Sequence, residues 1–514
     1  MVLTACGGGN TTAPTTGASS GGETQTASES AESGKITKTD IVVGQASDIV
    51  TLDPAGQQDT TSGVLMKHAY STLLDVDNEG KVVPDLAESY EMKSDTEYVF
   101  KLREDACFWD GTPVTAQDVK FSLDRAKGMP KTKSNTSKIE EVTVNGDHEV
   151  TIKLTEPYAA FKTIVTQHNL SILSEKAVTE AGDSYGDVDN LLGSGPFKVT
   201  EWVPNDHYTL VRNDNYWGEM PIATSITCRV IPEGSARTIA LEAGEIDVVW
   251  SVDPTDCANV ESNPDVKLLS QPSTGIDYVG MNTQKEKFSD KRVRQAINYA
   301  LDKQTFVDTI IEGRGLVANS YINAAIPGWT DEVEAYPYDP EKAKELLAEA
   351  GYPDGFECSI FVNGDLRTRS AQILQAQLAD VGIKVDISTY EWGALLDTLN
   401  AGEHEMFLLG WSNTSFDPDG STYQLFYSGN HGATGNRAFF SNDKVDELIL
   451  SAQRESEESK RMELYKELQF VLHDESPWCP LYYKENNVGV RADLKGFTLH
   501  AGAQHYLGNC HYEE

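Results

Sequence analysis

Side chains able to ligate a metal or attack a bond are poorly spaced for either task in this 514-residue chain. At the C-terminus His500, His505, Cys510 and His511 form the one cluster with metal-ligand chemistry, and their spacing matches no standard site. His404-Glu405 lacks the second histidine of a metalloprotease helix. No GxSxG elbow joins a strand to a helix, no GxxxxGK[ST] loop offers a cradle for phosphates, and 80 acidic residues make any acid pair meaningless without geometry. What remains is the chemistry of recognition. Trp392 in TYEWGALLD and Trp411 in GWSNTSFDPD offer broad aromatic faces that contact a ligand at little entropic cost. Arg367 and Arg369 carry the planar fork that suits a carboxylate. The expectation is a binding protein with no cofactor and no metal; a secreted glycoside hydrolase is the alternative class.

Composition narrows the partners. With 42 basic and 80 acidic residues the formal charge of −38 repels nucleic-acid phosphates and anionic headgroups, so no nucleic-acid partner is expected. No run reaches the ~18 apolar residues of a spanning helix. Cys107, Cys228, Cys257, Cys358, Cys479 and Cys510 contain no CxxC pair, which excludes the common zinc-ribbon spacing. Bridges Cys228 to Cys257 and Cys479 to Cys510 are compatible with segment order, and so are buried free thiols.

The elements that must position these groups can be read in order. Tyr98, Phe100 and Leu102 alternate as a strand; Asp110-Gly111-Thr112-Pro113 turns the chain, and Thr115 with Asp118 makes a capping box for a helix burying Val119, Leu123 and Ala126 and ending at Gly128. Val142 and Val144, then Val150, Ile152 and Leu154, flank Asn145-Gly146-Asp147 as a hairpin. Gly193-Ser194-Gly195-Pro196 breaks the chain before further strands. The second half alternates helix and strand: Asp290 caps a helix through Ala300, Asp339-Pro340 starts another, Ile373 to Val381 marks a third, and Ile383, Val385 and Ile387 alternate as a strand. One long charged helical stretch is expected from Asn442 to about Leu472, broken at Pro477. The length leads to two or three domains.

Taken together, FWDGTPVTAQDV, VPDLAESYE, GSGPFKVTEW, LVRNDNYWG, LEAGEIDVV, FSDKRVRQAINYALDK, YDPEKAKELLAEAGYPDGF, GIKVDI and SPWCPLYYKENNVGVR resemble, in order, the extracytoplasmic solute-binding proteins of the oligopeptide, dipeptide and nickel class. The resemblance implies an α/β fold: a two-lobed clamp of the periplasmic-binding-protein kind with mixed sheets, a discontinuous lobe one and an additional β-rich domain. Lobe one would combine 36–74, 193–271 and 478–514, the extra domain 75–192, and lobe two 272–477, with hinges near Gln271 to Gly275 and Pro477 to Pro480. It further implies a ligand enclosed at the interface, with Trp411, Asn413, Thr414 and Asp417 on one cleft wall, Trp392 beside them, Tyr278, Met281 and Asn282 on a strand reaching the cleft, and Arg367 and Arg369 near a ligand carboxylate. One departure matters. Peptide-binding relatives have an aspartate three residues after the tryptophan, pairing with the peptide ammonium, where this chain has Thr414; Asp417 or Asp419 would substitute if the loop shifts.

Leu3-Thr4-Ala5-Cys6, followed by Gly7-Gly8-Gly9 and a Thr/Ser/Gly tract to about Gly34, resembles a bacterial lipobox and tether, here 1–35. Cys6 would carry the lipid; the charged and apolar parts of a signal peptide are missing, so the start reads as truncated or misassigned. The implied protein is a monomeric lipoprotein receptor on the outer face of the cytoplasmic membrane, delivering a peptide or similar small polar solute to the permease and ATPase subunits of an ABC importer, with nickel-chelate or oligosaccharide binding as the alternative.

Overall fold

A computed structural model describes residues 35–514; Cys6 and the tract after it lie outside the described residues. Eleven strands join in one mixed sheet. Across it run Ile383–Thr389, Phe356–Val362, Met406–Ser412, Val266–Met281, Trp478–Arg491, Val248–Val249, Asp40–Gln45, Ser225–Val230, His207–Arg212 and Phe197–Val203, with Gly315–Val317 added beside Trp478–Arg491. The two long central strands are shared by both ends of the molecule. In Trp478–Arg491, Cys479 and Leu481 pack with Ile297, Leu347, Ile360 and Leu374, whereas Val488 and Val490 pack with Val43, Leu65, Tyr208 and Ile226. Two separate cores on one sheet make two bodies joined by a strand pair.

That pair carries the irregularity a clamp needs. Val266 to Pro272 pairs antiparallel with Arg491 to Glu485, and pairing resumes only at Ile276 opposite Tyr483, so three residues face Lys484 alone. Ser273 fills the gap by donating its hydroxyl to the Lys484 carbonyl at 2.7 Å and accepting from the Gly275 amide at 3.0 Å. Such bulges bend strands without unpairing them. The wider break leaves Ser273 to Gly275 opposite Lys484, and a second shift lies between Asp277, opposite Tyr482, and Tyr278, opposite Pro480, so that Leu481 is passed over.

Residues 87–154 form a four-stranded antiparallel sheet, Ala87–Ser94, Glu97–Leu102, Glu149–Leu154 and Ile139–Gly146, covered by helix Ala116–Lys127. The helix begins where the sequence places it: the Asp118 carboxylate accepts from the Thr115 amide at 2.9 Å and from its hydroxyl at 2.7 Å. The glycines of GSGPF are required by close approach, since a Cβ on Gly193 would lie 2.1 Å from the Ala69 carbonyl oxygen and one on Gly195 2.5 Å from the Ala69 carbonyl carbon. Trp109 closes over them, its ring nitrogen donating to the Gly195 carbonyl at 3.3 Å.

One expectation is corrected, and of the two alternatives left open for the cysteines the free thiols are found. The stretch from Asn442 to Leu472 is two helices, Asp443–Arg454 and Glu458–Glu475, because Val445, Ile449 and Ala452 on one and Tyr465, Leu468 and Leu472 on the other fill the same core, which one straight helix of that length cannot do. The six described cysteines are free thiols. Cys479 lies in the core of one body and Cys510 in that of the other, and Cys228 and Cys257 lie in different clusters. The C-terminus is also held, with Leu507 and Cys510 buried and Tyr512–Glu513 paired to Ile36–Lys38.

Candidate functional site

A cavity of about 400 Å³ lies between the two bodies. Its walls come from three places: the start of helix Thr60–Ala69 and Trp250 to Pro254 on one side; Asn135 and Gln167 to Asn169 of the extra segment; and Arg367, Trp392, Trp411, Thr414 and Arg437 on the other side. The floor is Lys484 to Asn487, where the central strands bend.

The sequence-predicted residues divide into those on this wall and those behind it. Trp411 stands at the end of Met406–Ser412, its ring nitrogen donating to the Gly420 carbonyl at 3.0 Å, which fixes the indole against the loop that follows. Thr414 faces the cavity and donates to the Gln167 side-chain oxygen at 2.9 Å, bridging to the opposite wall. Trp392 opens helix Trp392–Asn400 and its indole N–H is buried without a partner. The Arg367 guanidinium lies 5.8 Å from the Trp392 ring centroid and donates to Asn363 at 2.7 Å. Two of the four are thus an aromatic with an Arg over its face, a rigid cationic corner suited to a carboxylate beside apolar bulk.

Behind the wall, Asn413 donates to the Asp417 carbonyl at 2.7 Å and to Ser421 at 2.8 Å, holding the loop shape. Asp417 is a buried ion-pair partner of Arg461, with contacts of 2.5 and 2.9 Å. Asp419 accepts from the Tyr158 phenol at 2.5 Å and from Gln453 at 2.9 Å; burial, and then the adjacent Asp417 charge, lift its carboxyl to about 6. Both carboxylates are therefore satisfied inside the protein rather than turned to the cavity. Tyr278 stacks on Trp478, ring centroids 3.4 Å apart, and Met281 packs in the core. Asn282 donates to the carbonyls of Gly402 and His404, each at 3.2 Å. Arg369 pairs with Asp253 across the bodies at 2.7 Å.

Sequence reasoning missed Asp59 and Arg437, both on the wall. Asp59 caps helix Thr60–Ala69, one oxygen accepting from the Ser62 amide at 2.9 Å while the other is buried without a partner; burial raises its carboxyl above the usual range. An Asp-Thr-Thr-Ser run announces the cap, and nothing in it announces the spare oxygen. Arg437 is 6% exposed and donates from Nε to Asn400 at 3.0 Å. It sits in an irregular loop with no periodicity to mark it. Among the described residues no group of three or more His, Cys, Asp or Glu side chains is placed to hold a metal ion, and none of the helices is long and apolar enough to cross a membrane.

Comparison with known proteins gives this geometry its setting. The model of a family described as bacterial extracellular solute-binding proteins, family 5 Middle, matches residues 81–433. The glutathione-binding protein of Shigella flexneri is 31% identical over 479 residues, covering 90% of this chain and 92% of the relative. The dipeptide-binding protein of Escherichia coli is 30% identical over 470 residues, covering 84% and 86%. Among solved structures, the ABC transporter-associated periplasmic binding protein DppA from Helicobacter pylori, in complex with the peptide STSA, superposes with a TM-score of 0.88 at 28% identity, covering 93% of this chain and 99% of that one.

Proposed function

This chain belongs to family 5 of the bacterial extracellular solute-binding proteins, the class serving peptide and nickel ABC importers, and from that premise we propose that it captures a short peptide between its two lobes. Its role is to bind and deliver rather than to catalyse, as in its relatives. The observation that carries the peptide reading is the cavity of about 400 Å³ between the lobes, presenting Arg367 against Trp392. Small-molecule sites run from about 300 to 1,000 Å³, and a volume near the lower end suits a ligand of two or three residues better than an extended oligopeptide.

In this reading Trp392, Trp411, Thr414 and Arg367 touch the ligand. Asn413, Asp417, Tyr278, Met281 and Asn282 hold those four in place, and Arg369 latches the lobes. Closure turns on the bulge at Ser273 to Gly275 opposite Lys484, and a ligand touching both walls stabilises the closed state by its differential affinity for it. The protein acts as a monomer with the permease and ATPase subunits of an importer. Anchoring is through lipidated Cys6, supported by the Leu3-Thr4-Ala5-Cys6 motif and the tract after it.

The experiment is native mass spectrometry of the purified protein with whatever ligand accompanies it, followed by thermal-shift screening with dipeptides, tripeptides, oligosaccharides and nickel chelates. Peptides are expected to raise the melting temperature. Stabilisation by sugars or nickel chelates alone overturns the peptide assignment.

A further inference from the structure

Two opposite charges face each other in the cavity without meeting. Asp59, on the wall of the first lobe, uses one carboxylate oxygen as a helix cap and leaves the other buried and unpartnered. Arg437, on the wall of the second lobe, is 94% buried, and among the described residues its one side-chain hydrogen bond runs from Nε to Asn400, leaving the terminal nitrogens of its fork for the cavity. Asp59 is the carboxylate whose charge acts on Arg437, and burial otherwise disfavours the cation. The two do not come within the 4.0 Å of an ion pair. A buried guanidinium without a carboxylate, and a buried carboxylate oxygen without a donor, are both costly to leave unmet. The indole N–H of Trp392, on the same wall as Arg437, lies close enough to the Asp59 carboxylate to favour its charged form and makes no hydrogen bond there.

A group that satisfies both must carry an ammonium and a carboxylate close together. An ordinary peptide has its ammonium at one end and its main-chain carboxylate at the other. A peptide joined through a side-chain carboxyl, of the γ-glutamyl or β-aspartyl kind, keeps both on one carbon and has a second carboxylate at its far end. Arg367 stands apart from this pair beside Trp392 and is free of any carboxylate partner among the described residues.

Resting on the peptide reading above, we infer that Asp59 and Arg437 together read a free α-amino-acid head, ammonium on Asp59 and carboxylate on Arg437, so that the protein selects side-chain-linked peptides over their α-linked isomers. This assigns the ammonium to the first lobe, which accounts for its being dispensable at Thr414 in the second.

The probes are γ-glutamylglycine and α-glutamylglycine, which have the same composition and charge and differ only in where the carboxylate stands relative to the ammonium. Isothermal titration of the full chain is expected to give the γ-isomer at least about a ten-fold lower Kd. Asp59→Asn and Arg437→Gln should each abolish the preference, and Arg437→Lys, which keeps the charge and loses the fork, should restore part of it, with melting temperatures reported for each variant. Equal binding of the isomers by the parent protein overturns the inference without any variant, as does binding of α-linked peptides alone; in both cases the peptide reading survives. Failure of every peptide to bind overturns both.

Discussion

Arg369 donates from one guanidinium nitrogen to both carboxylate oxygens of Asp253, at 2.7 and 2.9 Å, and so ties helix Gly364–Ala379 of the second lobe to the Trp250 to Pro254 wall of the first. The two residues flank the cavity, since Arg367 and Pro254 line it. In the proposed closure this pair is a bond between the lobes that separating them would break.

Arg369→Ala or Asp253→Ala should therefore weaken ligand binding without touching the ligand. The side chains are 35% and 13% exposed, so solvent screens the pair and about 0.5–1 kcal/mol is the scale to expect. That corresponds to a Kd roughly two- to five-fold higher in titration calorimetry, with the double variant no worse than either single. Additive losses would show that each residue acts elsewhere.

Asp417→Asn should damage stability while sparing recognition. It leaves the Arg461 charge buried with its ion-pair partner neutralised, a loss of about 3 kcal/mol read as a lower denaturation midpoint. Peptide Kd, measured where the protein is folded, should change less than about three-fold. A selective loss of binding with unchanged stability would place Asp417 on the ligand.

Trp392→Ala should do the opposite. The indole is a half-buried wall of the cavity beneath the Arg367 guanidinium, so its removal should raise the peptide Kd by roughly thirty-fold, about 2 kcal/mol. An unchanged Kd would remove Trp392 from the site.

How far these roles were readable from sequence depends on what signals them. The Thr115 and Asp118 cap, the hairpin about Asn145 to Asp147 and the Asp290 and Asp339 helix starts follow from local rules and stand in the structure as read. The break of the last helical stretch at Glu455 to Glu457 follows from two apolar faces sharing one core, a tertiary demand that charge-rich local sequence does not display. Within the loop after Trp411, residue types alone do not separate Thr414, which faces the cavity, from Asp417 and Asp419, which are consumed by Arg461 and Tyr158 brought from distant segments. Arg437 is invisible for the same reason, because its lack of a carboxylate partner is a fact about its neighbours.

Acid should destabilise the protein through its buried histidines. His404 is fully buried; burial chiefly, opposed by its hydrogen bond to the Arg437 carbonyl, lowers it to about 4. Burial likewise takes His68 and His500 to about 4. A histidine whose folded value lies below its unfolded value of about 6.5 binds protons more readily when unfolded, so stability is full above about pH 6.5 and falls as pH drops toward 4. At pH 5 each contributes a loss of about 1–2 kcal/mol, seen as a lower denaturation midpoint than at pH 7.5. A His404→Leu variant should show a shallower fall, and an identical pH slope would contradict the assignment.

Thiol chemistry should be confined to one position among the six described cysteines. Cys107 is partly exposed and the other five are buried, so brief alkylation of the native protein should modify Cys107, and denaturation should open all six. Burial raises the Cys107 thiol, so even that reaction is slow at neutral pH. A disulfide-linked peptide containing Cys479 and Cys510 would contradict the placement of these residues in separate cores.

The account stands most directly on calorimetric titration of the purified chain with short peptides, run beside Arg367→Ala. It predicts saturable binding of one peptide per chain, recovery of the peptide unchanged, and a Kd at least about ten-fold higher for the variant. Peptides that fail to bind, emerge cleaved, or bind the variant as tightly as the parent would contradict it.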